Sequence, residues 1–312
     1  MLLTPEILTI LILDTLFVFF ASISFILSIK ISLKWDLNST SQAQYKLERE
    51  SFLASTIIKY IFMLKIPLFL FFIFTLNKLA IVIPGAMCGA GVVNATVYGN
   101  YLLVLKVLNL YIFASWLTLH LNDIKQENQP YTKLKFTLFI FVFFLLMSEI
   151  YIEWLMFNAI DINKIVDCCG TLYSSGANSY ISEFFKIDTS VLLTIFYGTF
   201  SFIIASYLLK NRYTFSILNL VFMLISIITL IIFFGIYIYE LPTHHCPFCL
   251  LQKDYYYIGY FLYTFLYLGT FYGISSLFNQ QNMKKSLFFN TLYMVIVSCY
   301  PIFYYLKNGV FL

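Results

Sequence analysis

Charge is scarce in this sequence of 312 residues, of which only 11% are Asp, Glu, Lys or Arg. Soluble domains carry roughly 25% charged residues, and so few charges could not cover the surface of a water-soluble globule, so that class is excluded. Glycine (12 residues) and proline (7) are too rare for a collagen-like chain, and a net charge of only +4 argues against nucleic-acid binding. The chain instead has 61% hydrophobic and 20% aromatic residues, which excludes disorder and favours insertion into a membrane.

Long apolar runs recur along the whole chain. A helix of about 20 apolar residues crosses a hydrocarbon core of ~30 Å, and no alternating pattern typical of strands competes with these runs. We therefore predict an all-α fold, a polytopic membrane helical bundle of about eight transmembrane helices. The first span has no basic leader and no small-residue cleavage site after it, so we expect it to remain uncleaved. The predicted spans are 5 to 29, 54 to 76, 101 to 121, 135 to 157, 189 to 209, 214 to 238, 250 to 278 and 288 to 306.

Basic residues are distributed unevenly between alternate connections, and basic residues near span ends stay cytoplasmic. One side carries Lys30, Lys34, Lys46, Arg49, Lys125, Lys133, Lys135, Lys210, Arg212, Lys284 and Lys285. The other side carries only Lys78, Lys164, Lys186, Lys253 and Lys307. Both termini and all six cysteines are therefore predicted on the extracytoplasmic side of a bacterial inner (cytoplasmic) membrane, where disulfides persist.

The segment His244-His245-Cys246-Pro247-Phe248-Cys249 is the sharpest local signal. This Cys-x-x-Cys stands where a loop enters the seventh predicted span, and a helix N-terminus lowers thiol pKa values and favours thiolates. The spacing suits a reversible disulfide. A static disulfide and a metal site are the alternatives for such a motif.

A second cysteine segment, Cys168-Cys169-Gly170-Thr171-Leu172-Tyr173-Ser174-Ser175, lies in the loop before the fifth span. A loop cysteine, an aromatic residue and a Ser-Ser pair, followed two helices later by a Cys-x-x-Cys, resemble the vitamin K epoxide reductase family. The resemblance covers about 135 to 278. It implies a four-helix core and electron flow from a separate thioredoxin-fold dithiol protein, through loop cysteines and the Cys-x-x-Cys, to a quinone, either ubiquinone or menaquinone.

The resemblance also implies roles for individual residues. Cys169 matches the loop cysteine that exchanges with Cys246, and Cys249 matches the cysteine that reduces the quinone. Family members carry a second loop cysteine eight positions earlier, where this chain has Asp161. The residues that we expect near a quinone are Ser174 and Ser175, which match the Ser-Ser pair, Thr189, which stands where the family has an Asn donor, and Tyr256 and Tyr257, which follow the Cys-x-x-Cys.

Cys88 is the natural substitute for the missing loop cysteine. Its loop, 84 to 91, is rich in residues that permit tight turns, and it lies on the same predicted face. We predict an exchange pair between Cys88 and either Cys168 or Cys169. A structural disulfide that ties two loops together is an equally good interpretation. Cys299 in the last span is left out of the relay as a packed apolar thiol.

Several ionisable residues fall inside the spans, where charges are costly and usually paired or functional. Glu149 and Glu153 share one face of the fourth span, and Lys106 lies at a similar depth. Asp14 and Lys65 lie near mid-bilayer and suggest a second pairing. The two glutamates, together with His245, are candidates for a proton relay, because quinone reduction consumes two protons. An ion pair that fixes helix packing is the alternative.

The sequence thus predicts a quinone-dependent membrane thiol oxidoreductase whose catalytic cysteines are Cys246, Cys249, Cys169, Cys168 and Cys88. Two other classes stay open: a membrane protein that handles copper or zinc through His244, His245, Cys246 and Cys249, and a structural subunit of a membrane complex. Three regions are expected: an N-terminal membrane region at 1 to 130, a four-helix bundle at 131 to 280 and a final span at 281 to 312.

Overall fold

The computed structural model describes residues 4–36, 39, 41–126, 128–166 and 187–312. Regular structure in these ranges is helical throughout, with no strand. The helices in chain order are α1 (Pro5–Lys34), α2 (Gln42–Leu79), α3 (Gly89–Asn94), α4 (Tyr98–Ile124), α5 (Thr132–Ala159), α6 (Thr189–Leu208), α7 (Arg212–Thr229), α8 (Gly235–Tyr239), α9 (Ile258–Ser275) and α10 (Asn282–Asn308). A five-residue π-helical turn, Leu230–Phe234, joins α7 to α8 into one continuous segment.

Seven of these segments are long and apolar enough to cross a membrane: α1, α2, α4, α5, α6, α7 with α8, and α10. The predicted all-α polytopic bundle is confirmed. Large apolar side chains on the helix surfaces, such as Phe19, Phe141 and Phe202, are exposed, as expected where lipid is the solvent. The seventh predicted span, 250 to 278, corresponds to the 18-residue α9, which carries four tyrosines and is not among these seven segments.

Polar residues set several helix ends. The side chain of Ser41 accepts a hydrogen bond from the Gln44 amide at the start of α2, and Asn211 does the same for the Thr214 amide at the start of α7. Both side chains satisfy amide groups that have no partner within the helix. Helix α10 ends at Gly309, whose φ of +76° is a conformation that glycine adopts without strain.

The described residues form two compact units, Met1–Val82 with Val92–Lys164, and Ile83–Gly91 with Ile165–Leu312. In the first unit α1 packs against α2 and α5, and α4 packs against the same two helices. Phe62 stacks on Phe113 with ring centroids 4.4 Å apart, and the edge of Trp116 meets the same ring at 5.4 Å. This arrangement is a four-helix bundle with an aromatic core.

The second unit is also a four-helix arrangement. Helix α7 packs on α6 and α9, and α10 packs on α9 and α6. Inside it, Asn219 Oδ1 accepts hydrogen bonds from Ser286 Oγ at 3.0 Å and from Asn290 Nδ2 at 2.7 Å. Gly273 lets α9 approach this network, since a Cβ atom there would lie 2.1 Å from Asn219 Cγ.

The two units do not follow the region boundaries expected from the sequence. Helix α5 lies in the first unit, although the predicted four-helix core at 131 to 280 included it. The short segment Ile83–Gly91, which precedes α4 in the chain, belongs to the second unit. This segment contains Cys88, so that cysteine and the Cys-x-x-Cys occupy the same compact unit.

Candidate functional site

Three cysteine sulfurs meet in the second unit. The Sγ atoms of Cys88, Cys246 and Cys249 all lie within 4.8 Å of one another. Cys88 Sγ and Cys246 Sγ are in hydrogen-bonding contact at 3.4 Å, although 158 residues separate them in the chain. All three side chains are buried, with exposed fractions of 0%, 1% and 5% for Cys88, Cys246 and Cys249. We call this group the sulfur cluster.

The loop that carries Cys88 is held by close backbone contacts. Gly85 adopts φ +86°, and a Cβ atom there would lie 2.3 Å from the Val166 carbonyl oxygen, so only glycine fits. The Val166 amide donates to the Pro84 carbonyl at 3.0 Å. Gln252 Nε2 donates to the Met87 carbonyl at 2.9 Å and ties this loop to the chain just beyond Cys249.

Two tyrosine hydroxyls hold the backbone of the Cys-x-x-Cys. Tyr239, at the end of α8, donates to the Cys246 carbonyl, and Tyr263 in α9 donates to the Pro247 carbonyl at 2.8 Å. These bonds satisfy two carbonyl groups of an irregular buried segment, which would otherwise carry a desolvation cost. The cysteine pair is therefore fixed from both flanking helices.

Both histidines before Cys246 are partly buried. His245 Nδ1 donates to the Ile231 carbonyl at 3.0 Å, inside the π-helical turn. The His244 ring meets the edge of Tyr239 at 4.5 Å, and its Nε2 has no hydrogen-bond partner among the described residues. Burial lowers the pKa of His244 below 6.5, and the nearby Cys88 opposes that shift. Burial likewise lowers the pKa of His245, so both rings are neutral near pH 7.

The expected position of the Cys-x-x-Cys at a helix N-terminus is wrong. Cys249 opens a three-residue 3₁₀ turn, Cys249–Leu251, and α9 begins only at Ile258. The helix cannot start earlier because Tyr256 and Tyr257 adopt left-handed conformations, with φ of +53° and +57°. The N-terminus of α9 therefore lies nine residues beyond Cys249 in the chain.

Three of the residues expected near a quinone are exposed, whereas the three sulfurs are buried. Tyr256 is 89% exposed, and Tyr257 and Thr189 are exposed as well. The rings that approach the cluster are those of Tyr239 and Tyr255, which meet edge to face at 4.6 Å. Phe248, Leu250 and Leu251, next to the two cysteines in the chain, are buried as well. Sequence reasoning overlooked Tyr239.

Cys168, Cys169, Ser174 and Ser175 lie outside the described residues. Their pairing and roles stay predictions. Cys299 lies in α10 and is of intermediate exposure.

Glu149 and Glu153 lie in the first unit and form a buried ion-pair network. Lys106 Nζ donates to Glu149 Oε1 at 3.0 Å and to Glu153 Oε2 at 2.6 Å. Lys65 Nζ donates to Asp14 Oδ1 at 2.7 Å and to Glu149 Oε1 at 3.2 Å. The two pairings expected from residue depth are confirmed, and the bond between Lys65 and Glu149 joins them into one network.

Comparison of the chain with models of protein families, with curated proteins and with solved structures finds no match. The function of the protein is therefore inferred from the sulfur cluster and the ion-pair network.

Proposed function

We propose that this protein is an integral-membrane thiol-disulfide oxidoreductase whose reaction centre is the sulfur cluster of Cys88, Cys246 and Cys249. The observation that carries the proposal is the convergence of three buried sulfurs within 4.8 Å from two separate connecting segments. A structural disulfide needs two cysteines, whereas disulfide exchange needs a third sulfur at the side of an existing bond.

The exchange step follows from the contact of Cys88 with Cys246. In a cluster that holds one disulfide, between Cys88 and Cys246, the Cys249 thiolate attacks Cys246 Sγ. A Cys246 to Cys249 bond forms, the bond to Cys88 breaks, and Cys88 leaves as a thiolate that takes up a proton. The sulfurs of Cys88 and Cys246 need to approach by only about 1.3 Å from their 3.4 Å contact to reach a bond length of ~2.05 Å.

Net oxidation of a partner requires two coupled reactions. A dithiol protein outside the cytoplasm transfers two electrons to the cluster, its two thiols become a disulfide, and two cluster cysteines become thiols. A quinone, when bound, accepts two electrons and two protons. The Cys246 and Cys249 thiols supply these electrons and return to the disulfide. The membrane setting supports a lipid-soluble acceptor, and the family resemblance supports a quinone.

We assign the two histidines different roles in the proton transfer that accompanies each thiol reaction. His244 is neutral near pH 7 and its Nε2 has no partner among the described residues, so it can accept a proton. His245 is held by the Ile231 carbonyl, so we assign it a positioning role for the following cysteine.

Quinone reduction by the purified protein tests this proposal. The full chain in detergent or lipid is mixed with a dithiol and a short-chain ubiquinone or menaquinone analogue, and the loss of quinone absorbance is followed. We expect reduction above the uncatalysed rate with at least one quinone, and a fall to background for Cys246→Ser and Cys249→Ser.

Cys299→Ser is the matched control, because Cys299 lies outside the cluster and its replacement should leave the rate unchanged. Background rates for the unmodified protein with both quinones would contradict the proposal. So would a Cys249→Ser variant that retains the full rate.

A second candidate is the binding of a soft metal ion, and the cluster geometry favours it specifically. Three thiolates around Zn²⁺, at Zn–S distances of ~2.3 Å, lie about 3.8 Å apart, which matches sulfurs that lie within 4.8 Å of one another. Unlike the sequence-based alternative, this site uses Cys88 and no histidine. Stoichiometric zinc or copper in reduced protein, lost in Cys88→Ser, together with absent quinone reduction would favour metal handling.

A further inference from the structure

The ion-pair network of the first unit is a linear chain of five alternating charges. In order they are Asp14 from α1, Lys65 from α2, Glu149 from α5, Lys106 from α4 and Glu153 from α5, joined by contacts of 2.6 to 3.2 Å. Each side chain is at most 4% exposed. All four long helices of the bundle contribute a side chain to this charge chain.

The charge chain contains three carboxylates and two ammonium groups. Both lysines have strong reasons to remain charged. Each contacts two carboxylates, and each also faces an aromatic ring, with Lys65 Nζ 5.6 Å from the Phe17 centroid and Lys106 Nζ 4.6 Å from that of Phe72. With every group ionised, the apolar bundle would therefore enclose one uncompensated negative charge, which is costly in a low-dielectric interior.

The carboxyl oxygens are not equally satisfied. Glu149 accepts from both lysines through Oε1 and from Asn109 Nδ2 through Oε2, which stabilises its ionised form. The carboxyl groups at the two ends of the charge chain accept fewer hydrogen bonds than Glu149 does. Asp14 Oδ2 and Glu153 Oε1 are fully buried and have no hydrogen-bond partner among the described residues. The excess negative charge is thus located at one of the ends.

We propose that the α1–α5 bundle is a proton-binding unit that holds one exchangeable proton on Glu153. Among the described residues Lys106 is the one cation in ion-pair contact with Glu153, and it also contacts Glu149. Glu149 lies one turn earlier on the same helix, so the two carboxylates repel each other. Uptake of one proton converts the Glu153 carboxylate to a carboxylic acid and makes the charge chain neutral. Release of that proton at higher pH restores the negative charge.

A small cavity borders the middle of the charge chain. A cavity of about 10 Å³ lies beside Lys65, Lys106 and Glu149 and is otherwise lined by apolar residues. That volume is at the lower limit of the ~10–15 Å³ that a cavity needs to hold one water molecule. A water molecule there would contact the middle of the charge chain, next to both lysines.

Infrared difference spectroscopy of the full-length protein tests the inference without any thiol reaction. A protonated carboxyl group has a carbonyl absorption that a carboxylate lacks, and this band should be present at neutral pH and disappear as the pH rises. We expect Glu153→Gln to lose the band, because glutamine leaves the charge chain neutral while its carbonyl can still accept from Lys106. Asp14→Asn, which also removes one negative charge, should abolish the band as well.

Glu240→Gln is the matched control, since Glu240 is exposed and paired with Lys307 at 3.0 Å, and it should keep the band. Labelling of glutamate carboxyl carbons with ¹³C should shift the band, whereas an unshifted band would assign the proton to Asp14 and overturn the assignment to Glu153. Absence of the band at every pH, its survival in both variants, or its displacement by Na⁺ would overturn the proton site.

Discussion

The buried charge chain yields a quantitative prediction about stability. Lys106→Met removes the ammonium group that lies 3.0 Å from Glu149 and 2.6 Å from Glu153. Asp14, Glu149 and the carboxyl group of Glu153 would then have Lys65 as the one ammonium group of the charge chain, and the last two lie one helical turn apart. Removing one partner of a buried ion pair typically costs about 3–5 kcal/mol, because the other charge is left uncompensated. We expect the free energy of unfolding of the first unit to fall by that amount.

Glu153→Gln should behave differently although it alters the same ion pair. The variant leaves the charge chain neutral, as protonated Glu153 does, and keeps an acceptor for Lys106, so we expect a change under about 1 kcal/mol. Lys30→Met provides the comparison for a partly exposed ion pair, because the Lys30 side chain is 39% exposed and that of its partner Glu50 is 19% exposed. We expect this variant to lower the free energy of unfolding by only ~0–1 kcal/mol.

Tryptophan fluorescence is the appropriate assay, because all three tryptophans lie in the first unit. Trp116, which is buried and donates to the Lys135 carbonyl at 2.8 Å, should report loss of the packed bundle. Unfolding in mixed micelles with increasing denaturing detergent then gives the free energy for each variant. A loss below about 1 kcal/mol for Lys106→Met, or equal losses for Lys106→Met and Glu153→Gln, would refute the reasoning about the charge chain.

Two further predictions concern the second unit. Gly273→Ala should destabilise it by about 1–3 kcal/mol, because the new Cβ would lie 2.1 Å from Asn219 Cγ, whereas Gly198→Ala, with no atom within 4 Å, should cost nothing in the same thermal unfolding measurement. Acidification below about pH 6.5 should also lower its thermal midpoint, because burial lowers the folded-state pKa values of His244 and His245 and the unfolded chain then binds more protons. The double variant His244→Gln with His245→Gln should show a smaller drop, and an identical pH dependence would contradict the assignment.

The spans could be predicted from the sequence because they depend on local composition. Seven of the eight apolar runs correspond to membrane-length helices whose ends lie within six residues of those predicted, apart from the start of α2. Helix α2 begins at Gln42, twelve residues before the predicted apolar run, since Ser41 caps a polar first section. The start of α9 could not be predicted, because the left-handed conformations of Tyr256 and Tyr257 arise from the packing of this turn and not from their side-chain type.

The site was only partly predictable. The distribution of basic residues predicts one membrane face for Cys88 and the Cys-x-x-Cys, but the direct contact of Cys88 with Cys246 depends on tertiary packing over 158 residues. Depth in the bilayer indicated the lysine and carboxylate pairs, yet not the bond from Lys65 to Glu149 that joins them. The supporting hydroxyls of Tyr239 and Tyr263 had no signal of their own among 25 tyrosines.

Disulfide mapping is the most direct test of the three-sulfur exchange. Membranes that contain the full chain are treated with a mild thiol oxidant, the remaining thiols are alkylated, and linked peptides are identified by mass spectrometry. In the unmodified protein we expect Cys246 to be found joined to Cys88 in some molecules and to Cys249 in others. The Cys249→Ala variant should contain only the link to Cys88. Recovery of Cys88 as an alkylated thiol in every sample, with no peptide joined to Cys246, would contradict the account.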